Sequence, residues 1–209
     1  MKYGLLVKKL NLIDKNIIVS DDLKSYCSIL KMEYLDAIKY LIRHKYLHRI
    51  MRGIFYNPSI RERKMGGFDI TYREAIVKAL EIKGVNDWYF GLETALKLNN
   101  LTHEFFVVDY ILNDKISRRK SLEVFGNKIK FVKVKPKLCK LGIKKLKYMK
   151  FSDVEKTILD FVYLLKYRGF SDAIVKNKII DYLEFASKEK LLSYSKKYNK
   201  KVEEFVRSL

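Results

Sequence analysis

The stretch from Val19 to Asn57, VSDDLKSYCSILKMEYLDAIKYLIRHKYLHRIMRGIFYN, decides the fold of the N-terminal third of the chain. Ser20 is predicted to cap a short helix, because a serine hydroxyl accepts a hydrogen bond from the free amides of a helix start. Two aspartates follow it, where the helix end is positive. A turn is then predicted at residues 28–32, without the glycine that such turns usually contain.

A second helix is predicted at residues 33–45 from its apolar spacing. Its core stripe is Leu35, Ile38, Leu41 and Ile42. Its other side carries Lys31, Tyr34, Lys39, Tyr40, Arg43 and His44. After it, residues rich in β-forming types surround Gly53, which predicts two short strands joined by a bend with positive φ. Arg49 and Arg52 lie on or beside this hairpin.

Two helices followed by a basic hairpin are the order of parts in a winged helix-turn-helix. We therefore predict a duplex-DNA interface, in which early helix residues meet base edges and later ones meet phosphates. The predicted DNA-binding residues are Lys31, Tyr34, Lys39, Tyr40, Arg43, His44, Arg49 and Arg52. A generic amphipathic helix with a solvated polar face has the same pattern.

The formal charge of the chain is +20. Residues 1–66 contain 14 Lys and Arg against 6 Asp and Glu, and the rest of the chain contains 30 against 18. This excess favours a polyanionic partner, with nucleic acid first and an anionic membrane surface second. A lysine-rich surface that reflects only the composition of the genome is the alternative. No apolar run approaches the roughly 20 residues that span a bilayer, so we expect no membrane partner and a cytoplasmic protein.

Three segments resemble AbiEi-type antitoxins, which are transcriptional regulators of phage-defence type IV toxin–antitoxin systems. They are Arg52-Gly53-Ile54-Phe55-Tyr56, the run YFGLETAL at 89–96 and the run SDVEKTILD at 152–160. The family's hairpin usually reads Arg-Gly-aliphatic-Tyr, and here Phe55 precedes the tyrosine. The resemblance implies an N-terminal domain that binds repeats in its own promoter and represses it. It further implies a C-terminal α/β domain that assists repression and opposes a nucleotidyltransferase-like toxin.

The predicted fold class is α+β, with a winged helix-turn-helix at 1–64 and a mixed α/β domain at 65–209 that has a small sheet and C-terminal helices. Residues 59–70 are predicted to be a linker, because they are basic and contain two glycines. Strands are predicted at 104–112, 122–125, 129–134 and 143–149, with a hairpin turn at Gly126-Asn127. Capping-box spacing at Thr71 and at Ser152 predicts two helix starts.

Catalytic signatures are sparse. No phosphate-binding loop, dinucleotide fingerprint, nucleophile elbow or zincin motif is present. The histidine pair His44 and His48 lacks a third ligand, so we expect no metal, no cofactor and no enzymatic activity. Glu155, Lys156 and Asp160 suggest a site for a nucleic-acid-processing enzyme, but helix capping and an i,i+4 ion pair explain them better.

Two alternatives stay open. A winged helix that binds protein would make the chain an interaction module. The basic cluster Lys115, Arg118, Arg119 and Lys120 is either a second anion contact or a solvated loop, and the loop is favoured because charge runs are common in loops.

Overall fold

The computed structural model describes residues 2–13 and 15–209. Over these residues it has ten α-helices, one 3₁₀ helix and two sheets, which is a mixed α+β architecture. The chain divides into two compact units. One runs up to Lys83 and includes Glu123–Gly126, and the other comprises Gly84–Leu122 and Asn127–Leu209. Residues 65–83, which the sequence analysis assigns to the C-terminal domain, belong to the first unit.

The first unit contains five helices and a three-stranded sheet. Its elements are α1 (Lys2–Asn11), β1 (Ile17–Val19), α2 (Ser20–Ile29), α3 (Tyr34–Arg43), β2 (His48–Met51), β3 (Ile54–Tyr56), α4 (Ile60–Met65) and α5 (Tyr72–Ile82). The sheet is antiparallel with the order β1-β3-β2. The first three helices and this sheet bury one core. Its fully buried members include Leu6, Leu10, Leu23, Leu41 and Leu47.

Helices α2 and α3 end in the same way, with a lysine in the left-handed conformation. Lys31 has φ +50° and Lys45 has φ +57°. In each case the lysine amide bonds back to the third residue before it, and the next amide bonds to the fifth residue before it. This is the Schellman arrangement, in which glycine is the usual residue. The predicted turn therefore forms without glycine, at the cost of backbone strain in two lysines.

Three local expectations for the first unit were wrong. Ser20 is the first residue of α2 and not its cap: the cap position is Val19, no side chain of the described residues caps this helix, and the Ser20 backbone N–H donates to the Gly53 carbonyl at 2.9 Å. Leu35 was placed in the core stripe but is 61% exposed. The expected linker contains α4, because Ser59 and Glu62 form a reciprocal capping box that starts a helix.

The second unit contains a mixed sheet and a set of C-terminal helices. The strands of this sheet are β4 (Trp88–Gly91), β5 (Val108–Asn113), β6 (Leu122–Val124), β7 (Asn127–Lys133), β8 (Ile143–Leu146) and β9 (Met149–Ser152). Glu123 and Val124 of β6 are grouped with the first unit. Its helices are α6 (Glu93–Leu98), α7 (Val154–Tyr167), α8 (Asp172–Leu183), α9 (Lys188–Ser195) and α10 (Lys200–Arg207), with a 3₁₀ helix at Pro136–Lys140. The sheet order is β6-β7-β5-β4-β9-β8. Helix α7 packs against α8, α9 and α10 and supplies much of the core.

Two strand predictions change here. The run predicted as one strand at 143–149 is a hairpin, because Lys147 takes φ +52° and the chain reverses from β8 into β9. The turn before β7 is formed by Phe125 and Gly126, both with positive φ, and not by Gly126-Asn127. Of the helices in the described part of the chain, none combines the length and the apolar character needed to cross a bilayer.

Candidate nucleic-acid interface

The outward face of α3 carries two cations. Leu35, Lys39 and Arg43 are all exposed, and their i, i+4, i+8 spacing places them along one face of the helix. Asp36 lies on the same side, and its carboxylate approaches the Lys39 ammonium to 3.6 Å. The opposite side of α3 buries Ala37, Ile38 and Leu41. The exposed face therefore offers one apolar side chain, two cations and one carboxylate to a partner.

Two further lysines lie beside the start of α3. The Lys24 ammonium is 5.8 Å from the centre of the Tyr34 ring, and the Lys2 ammonium donates to the Lys31 carbonyl at 3.1 Å. Lys31 is exposed and Tyr34 is half-buried. Lys2, Lys24 and Lys31 thus lie near one end of α3, and the Lys24 ammonium also pairs with Asp21 at 3.2 Å. Lys2 and Lys24 were not among the predicted residues, because they belong to other helices, α1 and α2.

Tyr40 and His44 were predicted on the outward side of this helix, but they lie on its flank. The Tyr40 ring stacks on Tyr3 of α1 with centroids 4.2 Å apart, and the His44 ring is 4.4 Å from Tyr40. Tyr40 is half-buried, while His44 is exposed. Helical geometry explains this placement, because position 40 is turned by about 100° from both 39 and 41. Tyr40 helps to hold α1 against α3.

The hairpin β2–β3 ends in a two-residue turn, Arg52-Gly53, and not in a long projecting loop. Gly53 has φ +78°, and a Cβ at this position would lie 2.7 Å from the Ser20 hydroxyl. Arg52 is exposed at the turn. Arg49 is exposed on β2, where its guanidinium lies 5.9 Å from the Phe55 ring centre. Gly53 therefore fixes the turn beside the start of α2 and leaves both arginines accessible.

The second unit contains a different polar cluster, on α7. The Lys156 ammonium donates to Asp160 at 2.5 Å, to the Tyr89 hydroxyl at 2.7 Å and to the Tyr198 hydroxyl at 2.8 Å. Each tyrosine hydroxyl donates in turn to the Asp160 carboxylate. Lys156 and Asp160 have no exposed side-chain surface. Burial lowers the pKa of Lys156 and raises the pKa of both tyrosines well above the ordinary value.

Glu155 takes part in a neighbouring cluster and does not cap α7. The cap is Asp153, whose carboxylate accepts from the Lys156 amide at 2.9 Å. Lys190 of α9 donates to Asp153 at 2.8 Å and to Glu155 at 3.0 Å, and Glu155 also accepts from the Ser187 amide. Burial raises the pKa of Glu155, but these hydrogen bonds more than offset it, so the pKa lies below the ordinary value. These contacts join the start of α7 to α9.

The Glu155, Lys156 and Asp160 set predicted as an alternative enzyme site therefore divides into two clusters. The Lys156–Asp160 pair is internally satisfied, so it exposes no charged atom to a substrate. Within the described residues, no three His, Cys, Asp or Glu side chains are grouped as a metal site would require.

Comparison with known proteins gives a likeness of fold. No protein-family model and no curated protein matches the chain. Among solved structures, it is similar to the crystal structure of the RV2827C protein from Mycobacterium tuberculosis, with a TM-score of 0.60 and 11% sequence identity. The match covers 99% of this chain and 75% of that chain. At this identity the comparison shows a shared fold alone.

Proposed function

We propose that the chain is a DNA-binding transcription regulator whose residues 1–64 form a winged helix-turn-helix. The observation that carries the proposal is the element order α1-β1-α2-α3-β2-β3 with the sheet order β1-β3-β2. A helix-turn-helix followed by a two-stranded hairpin is the arrangement that places a recognition helix in the major groove. In this proposal α3 is that helix and the Arg52-Gly53 turn is the wing.

The cations around α3 supply affinity. Lys2, Lys24 and Lys31 at one end of the helix, and Lys39 and Arg43 along it, neutralise phosphates and release counterions. Leu35 supplies an apolar contact, which suits a thymine methyl group in the major groove. Arg49 and Arg52 reach a phosphate or the minor groove beside the wing. In this proposal the phosphate contacts position the protein on the duplex, and the side chains on the exposed face of α3 select the base sequence.

The resemblance to AbiEi-type antitoxins extends the proposal. The regulator represses its own promoter by binding repeats there, acts in the cytoplasm and opposes a nucleotidyltransferase-like toxin. The second unit, including α7 and the segment that resembles the family, carries the antitoxin role. This part of the proposal rests on the three sequence segments quoted above.

A binding assay on the DNA upstream of the protein's own reading frame tests the regulator. Fluorescence anisotropy at several salt concentrations gives both the dissociation constant and its salt slope. Arg43→Ala and Arg52→Ala are each expected to weaken binding and to reduce the slope by about 0.9, which is the value for one lost phosphate contact. Lys201→Ala is the matched control, because Lys201 is an exposed cation on α10. Unchanged affinity and slope in both arginine variants would overturn the interface.

The antitoxin role has a separate test. Co-expression with a neighbouring nucleotidyltransferase-like reading frame is expected to restore the growth that the toxin alone suppresses. Because Arg43→Ala acts on DNA binding alone, this variant is expected to restore growth as well. Failure of the unmodified chain to protect would reject the antitoxin role and leave DNA binding intact.

A further inference from the structure

A cleft of about 650 Å³ lies in the second unit, between β7 and the C-terminal end of α7. The apolar residues that line it include Phe131, Val132 and Leu164. Its cations are Arg118, Lys130, Lys133, Lys135 and Arg168, and no Asp or Glu lines it. Successive residues of β7 point to opposite faces, so Lys130 and Val132 share one face and Phe131 and Lys133 share the other, while the cleft residues of α7 recur every fourth position. The cleft thus combines apolar side chains with five positively charged ones.

The charge in this cleft is not neutralised. None of its five cations forms an ion pair with a carboxylate in the described part of the chain, whereas the neighbouring Lys166 pairs with Asp172. The Lys130 ammonium donates to the carbonyl of Arg119, a contact that leaves its charge unbalanced. Like charges gathered in a cleft with apolar lining residues produce a local positive potential. An anionic ligand would relieve this repulsion, so the cleft has the electrostatics of an anion site.

A tyrosine at the cleft adds a second kind of contact. Tyr167 lines the cleft and is 83% exposed. It is four residues after Tyr163, which also lines the cleft but is half-buried and packs edge-on against Tyr198. Tyr163 therefore serves the core, while the Tyr167 ring forms no aromatic contact with the described residues. In proteins that bind single strands, aromatic side chains within a positively charged groove stack on unpaired bases.

We propose that this cleft binds a single-stranded segment of nucleic acid, with the cations on its phosphates and Tyr167 stacked on a base. A duplex meets the charge requirement but hides the faces of its bases, so it leaves Tyr167 without a partner. The Asp and Glu side chains of an acidic peptide also meet the charge requirement but offer no flat ring for the tyrosine face. Arg118 belongs to the basic cluster at residues 115–120, which the sequence left open as either an anion contact or a solvated loop. In this proposal Arg118 contacts the anion. The inference is independent of duplex binding by α3.

Fluorescence anisotropy of the full chain with labelled 15-nucleotide oligo-dT and oligo-U tests the site. Tyr167→Ala is expected to raise the dissociation constant about tenfold without changing the salt slope, because it removes stacking and no charge. Tyr167→Phe keeps the ring and is expected to bind as the unmodified protein does. Lys133→Ala and Arg168→Ala are each expected to reduce the slope by about 0.7, the value for one phosphate of a single strand. Phe105→Ala and Lys201→Ala are matched controls, because both residues are exposed on the same unit.

The outcomes separate this site from the α3 interface. The cleft variants are expected to leave binding of the upstream duplex unchanged, and Arg43→Ala is expected to leave oligonucleotide binding unchanged. Wild-type affinity of Tyr167→Ala for both oligonucleotides would overturn the proposal. Equal competition by oligoglutamate of the same charge would also overturn it, since the cleft would then be a site for acidic protein.

Discussion

The Lys156 ammonium and the Asp160 carboxylate meet at 2.5 Å with no solvent exposure on either side chain. The pair lies one turn apart on α7, and the hydroxyls of Tyr89 and Tyr198 complete its hydrogen bonds. Desolvation of two charges is costly, and such a pair is tolerated only when every partner is satisfied. The cluster therefore connects β4, α7 and the segment before α10, and its integrity depends on all four side chains.

Removing one charge of this pair is expected to destabilise the second unit strongly. Lys156→Met or Asp160→Asn alone leaves an uncompensated buried charge and is expected to cost about 3–5 kcal/mol of the free energy of unfolding. The double variant Lys156→Met/Asp160→Asn leaves no charge behind and is expected to lose less than the sum of the two single changes. Urea unfolding followed by circular dichroism measures these values. Additive losses would mean that the two side chains act independently.

Glycine at the ends of α2 and α3 is expected to relieve the backbone strain of Lys31 and Lys45, and the two positions serve as controls for each other. Lys31→Gly and Lys45→Gly each place glycine in a left-handed Schellman position and are expected to stabilise the first unit by about 0.5–1 kcal/mol. Both changes remove one positive charge. Only Lys31→Gly is expected to weaken binding of the upstream duplex, because Lys31 lies at the start of α3. Equal weakening by both variants would attribute the effect to net charge alone.

Leu35 provides a test of selectivity without a change in fold. Its side chain is 61% exposed, so Leu35→Ala is expected to change the free energy of unfolding little. If Leu35 contacts a base in the major groove, the variant loses affinity for its operator by about 1 kcal/mol more than for random duplex. Paired anisotropy titrations on the two duplexes measure the difference. Ile38→Ala is a contrasting variant, because Ile38 is buried and its loss is expected to destabilise the fold.

Acid sensitivity of the first unit is expected to centre on Glu62. Its carboxylate accepts from the Tyr56 hydroxyl at 2.5 Å and from the amides of Ser59 and Asp69, each at 2.7 Å. Burial raises the pKa of Glu62, but these hydrogen bonds outweigh it and hold the pKa below the ordinary 4.5. Because the pKa of Glu62 is lower in the folded protein than in the unfolded chain, its ionised carboxylate stabilises the fold above about pH 4.5. This stabilisation is lost as the pH falls through the pKa of Glu62 in the folded protein.

The variant Glu62→Gln isolates this contribution. It is expected to be less stable than the unmodified chain at pH 7 by about 1–2 kcal/mol, because hydrogen bonds to a charged acceptor are replaced by weaker ones. The difference between the two proteins is expected to shrink as the pH drops below 4.5, where Glu62 itself becomes neutral. Thermal unfolding between pH 3 and pH 7 measures it. If the stability difference between the two proteins stays constant with pH, folding does not lower the pKa of Glu62.

The sequence by itself determined the features that depend on near neighbours. Thr71 accepts from the amide of Glu74, as the capping-box spacing predicts, and Gly53 takes the positive φ expected of it. The i,i+4 pairing of Lys156 with Asp160 also follows from helix geometry. The charge excess is a property of composition. The helix cap, the turn at Gly53 and the ion pair each involve residues only a few positions apart, so short-range backbone geometry determines them.

Only the tertiary structure decided which polar side chains are buried and which basic ones share a surface. Tyr89 and Tyr198 are far along the chain from Lys156, and Lys2 reaches the turn at Lys31 from another helix. The cations of the cleft between β7 and α7 likewise come from separate segments: β7 and the residues after it, the loop that contains Arg118, and Arg168 at the end of α7. Burial and charge density depend on which distant segments pack together, and periodicity along one segment carries no information about that.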